Sequence, residues 1–245
     1  MRILAGQIAL ETKLFFRRKD ELFWNLAFPM FFMVLYGLIY GNTMWGDILA
    51  IEYMFPGIIV MALMVNGIMV SATVFVEERG KGIYRRLSLT PLKRQTIIGA
   101  QILHRYIVTL VQTLLLLVVG VFAFKVNIVG NYFFFWLILT FGSLCFLSIG
   151  FALATLIRST RSATPICMIV FFMMLFLGGI FFPTSIMPDF LVVITKALPS
   201  THLNDALRMI TIEGAGLGAA WLELLVVGGW FVVSLGLSIK FFRWE

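Results

Sequence analysis

"VEERGKGIYRRLSLTPLKRQTIIGA", residues 76–100, is a charged and mostly basic stretch enclosed by two long apolar runs. Around it the chain is 61% hydrophobic and 13% charged, with a mean hydropathy of +1.00. A water-soluble domain of 245 residues cannot carry that composition without exposing large apolar patches, so the chain reads as an integral membrane protein. A helix crosses about 30 Å of hydrocarbon with about 20 apolar residues, whereas membrane β-strands alternate over about 10. The unbroken runs therefore predict an all-α fold with six spans, at 22–41, 54–76, 106–124, 132–157, 164–182 and 217–240, in a single transmembrane domain, 1–245.

Lysine and arginine near span ends are retained on the cytoplasmic side. They gather in residues 1–21 (Arg2, Lys13, Arg17, Arg18, Lys19), in the quoted loop (Arg79, Lys81, Arg85, Arg86, Lys93, Arg94), at Arg158 and Arg161, and at Lys240 and Arg243. The alternate loops carry only Lys125, Lys196 and Arg208. This distribution predicts both termini in the cytoplasm of a multi-pass protein of the cytoplasmic membrane. It also accounts for the net charge of +7, through topology and attraction to anionic lipid, without nucleic acid.

Residues 1–21 predict an interfacial helix, with Ile3, Leu4, Ile8, Leu14 and Phe15 able to meet lipid. They show no short apolar core with a small-residue cleavage site, so no signal peptide is expected. The loop 41–53 is short and free of lysine and arginine, as for a plain external connection. Residues 183–216 differ: an apolar stretch, 190–198, is too short to span and is followed by a proline break and a helix-like stretch, 201–212. A span here would bury Asp189, Lys196, His202, Asp205 and Arg208, each at about 2.5–3.5 kcal/mol. An outer helical hairpin is expected instead, either capping a pathway or resting on the headgroups.

Catalytic signatures are missing. "RGKG" at 79–82 lacks the spacing and hydroxyl of a phosphate-cradling loop, and the spans hold neither a nucleophile with its base nor an H-E-x-x-H pair. Cys145 and Cys167 are too few for a disulfide framework or metal site, and none is expected. His104, His202 and Glu223 read as interfacial polar residues. A self-contained channel or secondary carrier would want buried ionisable groups or internal repeats, and neither is visible.

The quoted loop is left as the distinctive feature. Glu77, Glu78 and Arg79 end a span, Gly82 allows a turn, and 83–89 can form a short helix with Ile83, Tyr84 and Leu87 towards one side and Arg85 and Arg86 elsewhere. Thr90-Pro91 breaks it before the chain climbs back. A short helix joined rigidly to two spans can be pushed from outside the bilayer. The run from Glu77 to Gln101 resembles the cytoplasmic segment of ATP-binding-cassette transporter permeases of the type-2 exporter class, the drug, antibiotic and polysaccharide efflux group, at Glu78, Arg79, Gly82, Arg86, Leu87, Thr90, Pro91 and Gly99. Gly80 and Arg85 depart from that pattern, which often has acidic residues there.

The resemblance implies a coupling loop, 77–96, seated on a separate ABC ATPase subunit that binds ATP and magnesium. This chain itself would bind no cofactor and perform no catalysis. It also implies a second permease subunit, identical or related, and export of a hydrophobic or amphipathic compound, with polysaccharide as the alternative cargo. Polar or flexible positions in the spans, Asn25, Asn66, Ser71, Thr73, Gly178 and Gly179, are candidates for the pathway.

Overall fold

The structure, a computed structural model, describes residues 2–87, 94–181 and 187–241. Helix α1 (Arg2–Arg17) is separated by extended backbone at Arg18 from α2 (Lys19–Tyr40). A two-stranded antiparallel ribbon, β1 (Met44–Trp45) with β2 (Ile48–Leu49), leads into α3 (Ala50–Gly80). Then come α4 (Ile83–Leu87), α5 (Arg94–Phe124), α6 (Tyr132–Leu156), α7 (Thr160–Leu177), α8 (Asp189–Thr195), α9 (Pro199–Thr211) and α10 (Trp221–Phe241). Among the described residues six helices are long and apolar enough to cross a membrane: α2, α3, α5, α6, α7 and α10. The chain is thus an all-α, multi-pass membrane protein, with one small ribbon among the described residues.

A helix apolar on every side belongs in the middle of a bundle. Helix α3 obeys this rule: 94% of its most apolar stretch is buried, against 11% for α10, which faces outward. Close approach of backbones makes the central position tight. A Cβ at Gly150 of α6 would collide with the carbonyl oxygen of Gly67, and one at Gly67 would come within 2.6 Å of Phe146. Small residues at such a crossing let dispersion replace the hydrophobic drive that lipid cannot supply.

Helix α3 is 31 residues long, about 46 Å at 1.5 Å per residue, and so outreaches the hydrocarbon. Its surplus carries Glu77, Glu78 and Arg79 to the end of the bundle where α1, α4 and the start of α5 gather. At the other end, α9 packs on α3, α6 and α10, burying Leu203, Asn204, Ala206, Leu207 and Ile210. Helix α9 is therefore built into the bundle, while α8 keeps Phe190, Val193 and Ile194 exposed.

Several helices begin or end away from the span limits read in the sequence. Helix α3 begins at Ala50, not 54, because the Glu52 carboxylate is held by the backbone N–H groups of Leu49 (3.1 Å) and Asn127 (3.0 Å). Helix α5 is continuous well before 106, since Arg105 is neutralised inside the protein. Helix α7 stops at Leu177, short of 182, where Gly179 turns the chain at φ 65°. The last span starts at Trp221 rather than 217.

Gly150→Val is expected to destabilise the detergent-solubilised protein by about 3 kcal/mol, while Gly229→Val, at an exposed position with open space, leaves it unchanged. Thermal melts followed by size exclusion check both.

Candidate functional site

Helix α3 ends in a turn that divides its charges. Lys81 N–H donates to the Glu77 carbonyl (2.9 Å) and Gly82 N–H to that of Arg79 (2.9 Å), and Gly82 adopts φ 66°, a conformation glycine enters without penalty. Glu77 stays outside, paired with Lys81 at an exposed site where an ion pair contributes little. Arg79 reaches across to the Ile157 carbonyl at the end of α6. Glu78 turns inward and is 3% exposed.

A buried carboxylate must be paired and hydrogen-bonded. Glu78 Oε1 accepts from an Arg18 guanidinium nitrogen at 2.9 Å, and Oε2 accepts from the Tyr84 hydroxyl at 2.9 Å and from Gln101 Nε2 at 2.8 Å. Tyr84, itself 2% exposed, stacks its ring 4.9 Å from Phe75 of α3. Burial first, then the Glu78 charge, pushes the Tyr84 phenol far above its ordinary range, so it remains a donor at any physiological pH. Burial works against the Arg18 guanidinium, but the hydrogen bond and charge of Glu78, with Glu21 and Glu77, hold its pKa above the usual value.

The network continues inward. Arg18 also meets Glu21 at 3.5 Å, and Glu21 pairs with Arg105, both of them buried. Glu11 of α1 lies beside Gln101, its carboxyl raised by burial and by the Glu78 charge. One connected set of charges thus ties α1, α2, α3, α4 and α5 together, with the short α4 attached through Tyr84.

The sequence-derived candidates fall into groups. Glu77, Arg85 and Arg86 are outward, and one Arg86 guanidinium nitrogen donates to the Lys81 carbonyl at 3.0 Å. Glu78 and Tyr84 are inward. The Leu87 side chain, Thr90 and Pro91 lie outside the described residues.

Asn25 and Asn66 are fully buried, and each sits in a single π-helical turn, Phe23–Ala27 and Val65–Val70, a wound-out geometry often found at functional positions. Asn25 Nδ2 donates to the Glu21 carbonyl at 3.0 Å and Asn66 Nδ2 to the Arg105 carbonyl at 2.9 Å. Ser71 and Thr73 are tied to their own helix, at the Asn66 and Met69 carbonyls. Gly178 and Gly179 are far from these, ending α7 where the Gly179 carbonyl accepts from Asn204 and Arg208, each at 3.2 Å. The six pathway candidates do not converge on one site.

Sequence reading missed Glu11, Arg18, Glu21, Gln101 and Arg105 as members of this network. A signal existed: Gln101, Arg105 and Thr109 recur every four residues, a polar stripe entering an apolar helix. Arg105→Leu, which leaves Glu21 buried with fewer partners, is expected to cost about 3–5 kcal/mol in denaturant or thermal unfolding. Because folding raises the Glu11 pKa, the native state binds more protons there, and this residue's contribution to stability falls as pH rises above the unfolded carboxylate value. Glu11→Gln is therefore expected to raise the melting temperature at pH 7, by an amount that shrinks as pH is lowered into the ordinary carboxylate range.

Residues 8–212 match the family described as ABC-2 type transporter. The chain is similar to the putative transport permease YvfS of Bacillus subtilis, 26% identical across 99% of this chain and 98% of that protein. It is 25% identical to the probable multidrug ABC transporter permease YbhR of Escherichia coli, across 70% of this chain and 47% of the relative. It is 26% identical to ABC transporter G family member 20 of Dictyostelium discoideum, across 82% of this chain but only 27% of that longer protein.

Proposed function

Because the chain belongs to the ABC-2 type transporter family, we propose that α4 is its coupling helix and that a separate ATPase subunit, binding ATP and magnesium, drives it. The chain is then a permease subunit that catalyses nothing itself and pairs with a second permease subunit. The end bearing α1 and α4 faces the cytoplasm, as its concentration of arginine and lysine favours.

One observation carries this reading: the Tyr84 hydroxyl joins α4 to Glu78, and through it to Arg18, Gln101, Glu21 and Arg105. A load applied to a helix of five residues would dissipate in a flexible loop. Here it passes to three spans and the interfacial helix. The outward residues Glu77, Arg85 and Arg86 serve as the docking face, while Glu78 and Tyr84 transmit the motion. ATP energy reaches the spans only if the ATPase contacts differ between the two conformations, so the mechanism is alternating access rather than tight binding. The cargo is a hydrophobic or amphipathic compound, a reading supported by the multidrug description of YbhR.

The test separates docking from transmission. In the reconstituted complex, Arg85→Glu with Arg86→Glu is expected to abolish ATPase co-purification. Tyr84→Phe is expected to retain the ATPase yet lower transport per ATP hydrolysed, since it deletes one hydrogen bond to a buried carboxylate, about 1.5–3 kcal/mol. A chain that purifies without any ATPase and still transports would overturn the proposal.

A further inference from the structure

A groove of about 500 Å³ runs between α2 and α5, within the range of ligand sites. On α2 its wall is the stripe Lys19, Leu22, Leu26 and Met30, which follows one helix face. On α5 it is formed by Gln112 and Leu116. The lining is apolar except for Lys19 at one end and the Gln112 amide further in.

Two observations point to an amphipathic occupant of negative charge. Gln112 is 2% exposed, and among the described residues neither its Nε2 nor its Oε1 has a hydrogen-bond partner. An amide buried in this way is costly unless a ligand supplies what the protein does not. Lys19 is exposed and makes no ion pair among the described residues, and exposed Lys13 and Arg17 stand on the preceding helix.

The spacing between the two polar ends follows from helix register. Met33 packs beside Gly120 and Phe124 beside Gly37, the same offset of 87 positions, so the helices run parallel with Gln112 level with Asn25. Gln112 is thus about 9 Å deeper than Lys19 at 1.5 Å per residue.

We propose that this groove holds an anionic glycerophospholipid of the adjacent leaflet. Its phosphate meets the Lys19 ammonium, an ester carbonyl deeper in the groove accepts from Gln112 Nε2, and an acyl chain lies along Leu26, Met30 and Leu116. The acyl chain covers apolar surface that would otherwise meet disordered lipid. The lipid would hold α2 against α5 just beyond the Glu21–Arg105 pair. The proposal is independent of whether or what the protein transports.

The purified permease is placed in phosphatidylcholine nanodiscs containing a minor fraction of phosphatidylglycerol with a diazirine in its acyl chain, irradiated, and its labelled peptides sequenced. Label is expected to concentrate on 22–30 and 112–116. Lys19→Gln, a surface change that leaves folding intact, should lower phosphatidylglycerol labelling about fivefold, as for one lysine at an anionic headgroup, and leave a phosphatidylcholine probe unaffected. Leu26→Trp, which fills the groove, should abolish labelling there, and Gln112→Leu should reduce it while the protein remains monodisperse. Label spread evenly over every lipid-facing helix would overturn the proposal, as would equal labelling by the zwitterionic probe. Indifference to Lys19→Gln, or displacement of the label by an exported compound, which would make the groove a cargo site, would overturn it as well.

Discussion

A carboxylate at Glu78, taken out of water at the end of the central helix, is the constraint on which the arrangement of the basic end depends. In water it would need nothing; at 3% exposure it requires Arg18, Tyr84 and Gln101 at once. Each of those partners comes from a different segment, so satisfying one charge fixes the relative placement of α2, α4 and α5. The Glu21–Arg105 pair repeats the arrangement a step deeper. Replacing such groups with apolar residues of similar volume often stabilises a protein, so stability alone does not account for their presence. What they add is position: apolar contacts could let α4 slide, while directed bonds to a buried charge hold it in one register.

The rest of the bundle supplies a stiff body for that end to act on. Helix α3 is packed on all sides, and its crossing with α6 has no room for a side chain at Gly150. It carries a π turn at Val65–Val70, and α2 carries another at Phe23–Ala27. Both contain a buried asparagine bonded to the backbone of the charged segment, Asn25 to Glu21 and Asn66 to Arg105. Under the proposed function these turns are where the two helices can change pitch while the network stays whole.

Much of this was legible in the sequence, for physical reasons that can be named. Lipid excludes unsatisfied backbone, so apolar runs of sufficient length report spans directly. The turn at Gly82 could be read as well, because the chain reverses there between charged segments. The ionic network could not be read, because it depends on which charges face inward. Glu77 and Glu78 are adjacent and chemically alike, yet one is solvated and the other is a hub. Arg105 looked like the flank of a span since an unpaired arginine inside one is costly, and its partner Glu21 lies 84 residues away. Gly178 and Gly179 read as a loosening of a helix that in fact ends there, as their contacts with α9 are invisible in sequence.

The central claim is that α4 moves with the interfacial helix and the adjoining spans as one body. Its most direct test is a distance distribution between spin labels at Lys13 of α1 and Ile83 of α4, in the reconstituted transporter, with Cys145 and Cys167 replaced by serine or alanine. The account predicts one narrow distribution, unchanged between nucleotide-free and ATP-trapped states, that broadens when Glu78 is replaced by alanine. A distance that shifts on ATP trapping in the otherwise native protein would show α4 moving independently of α1 and would contradict it.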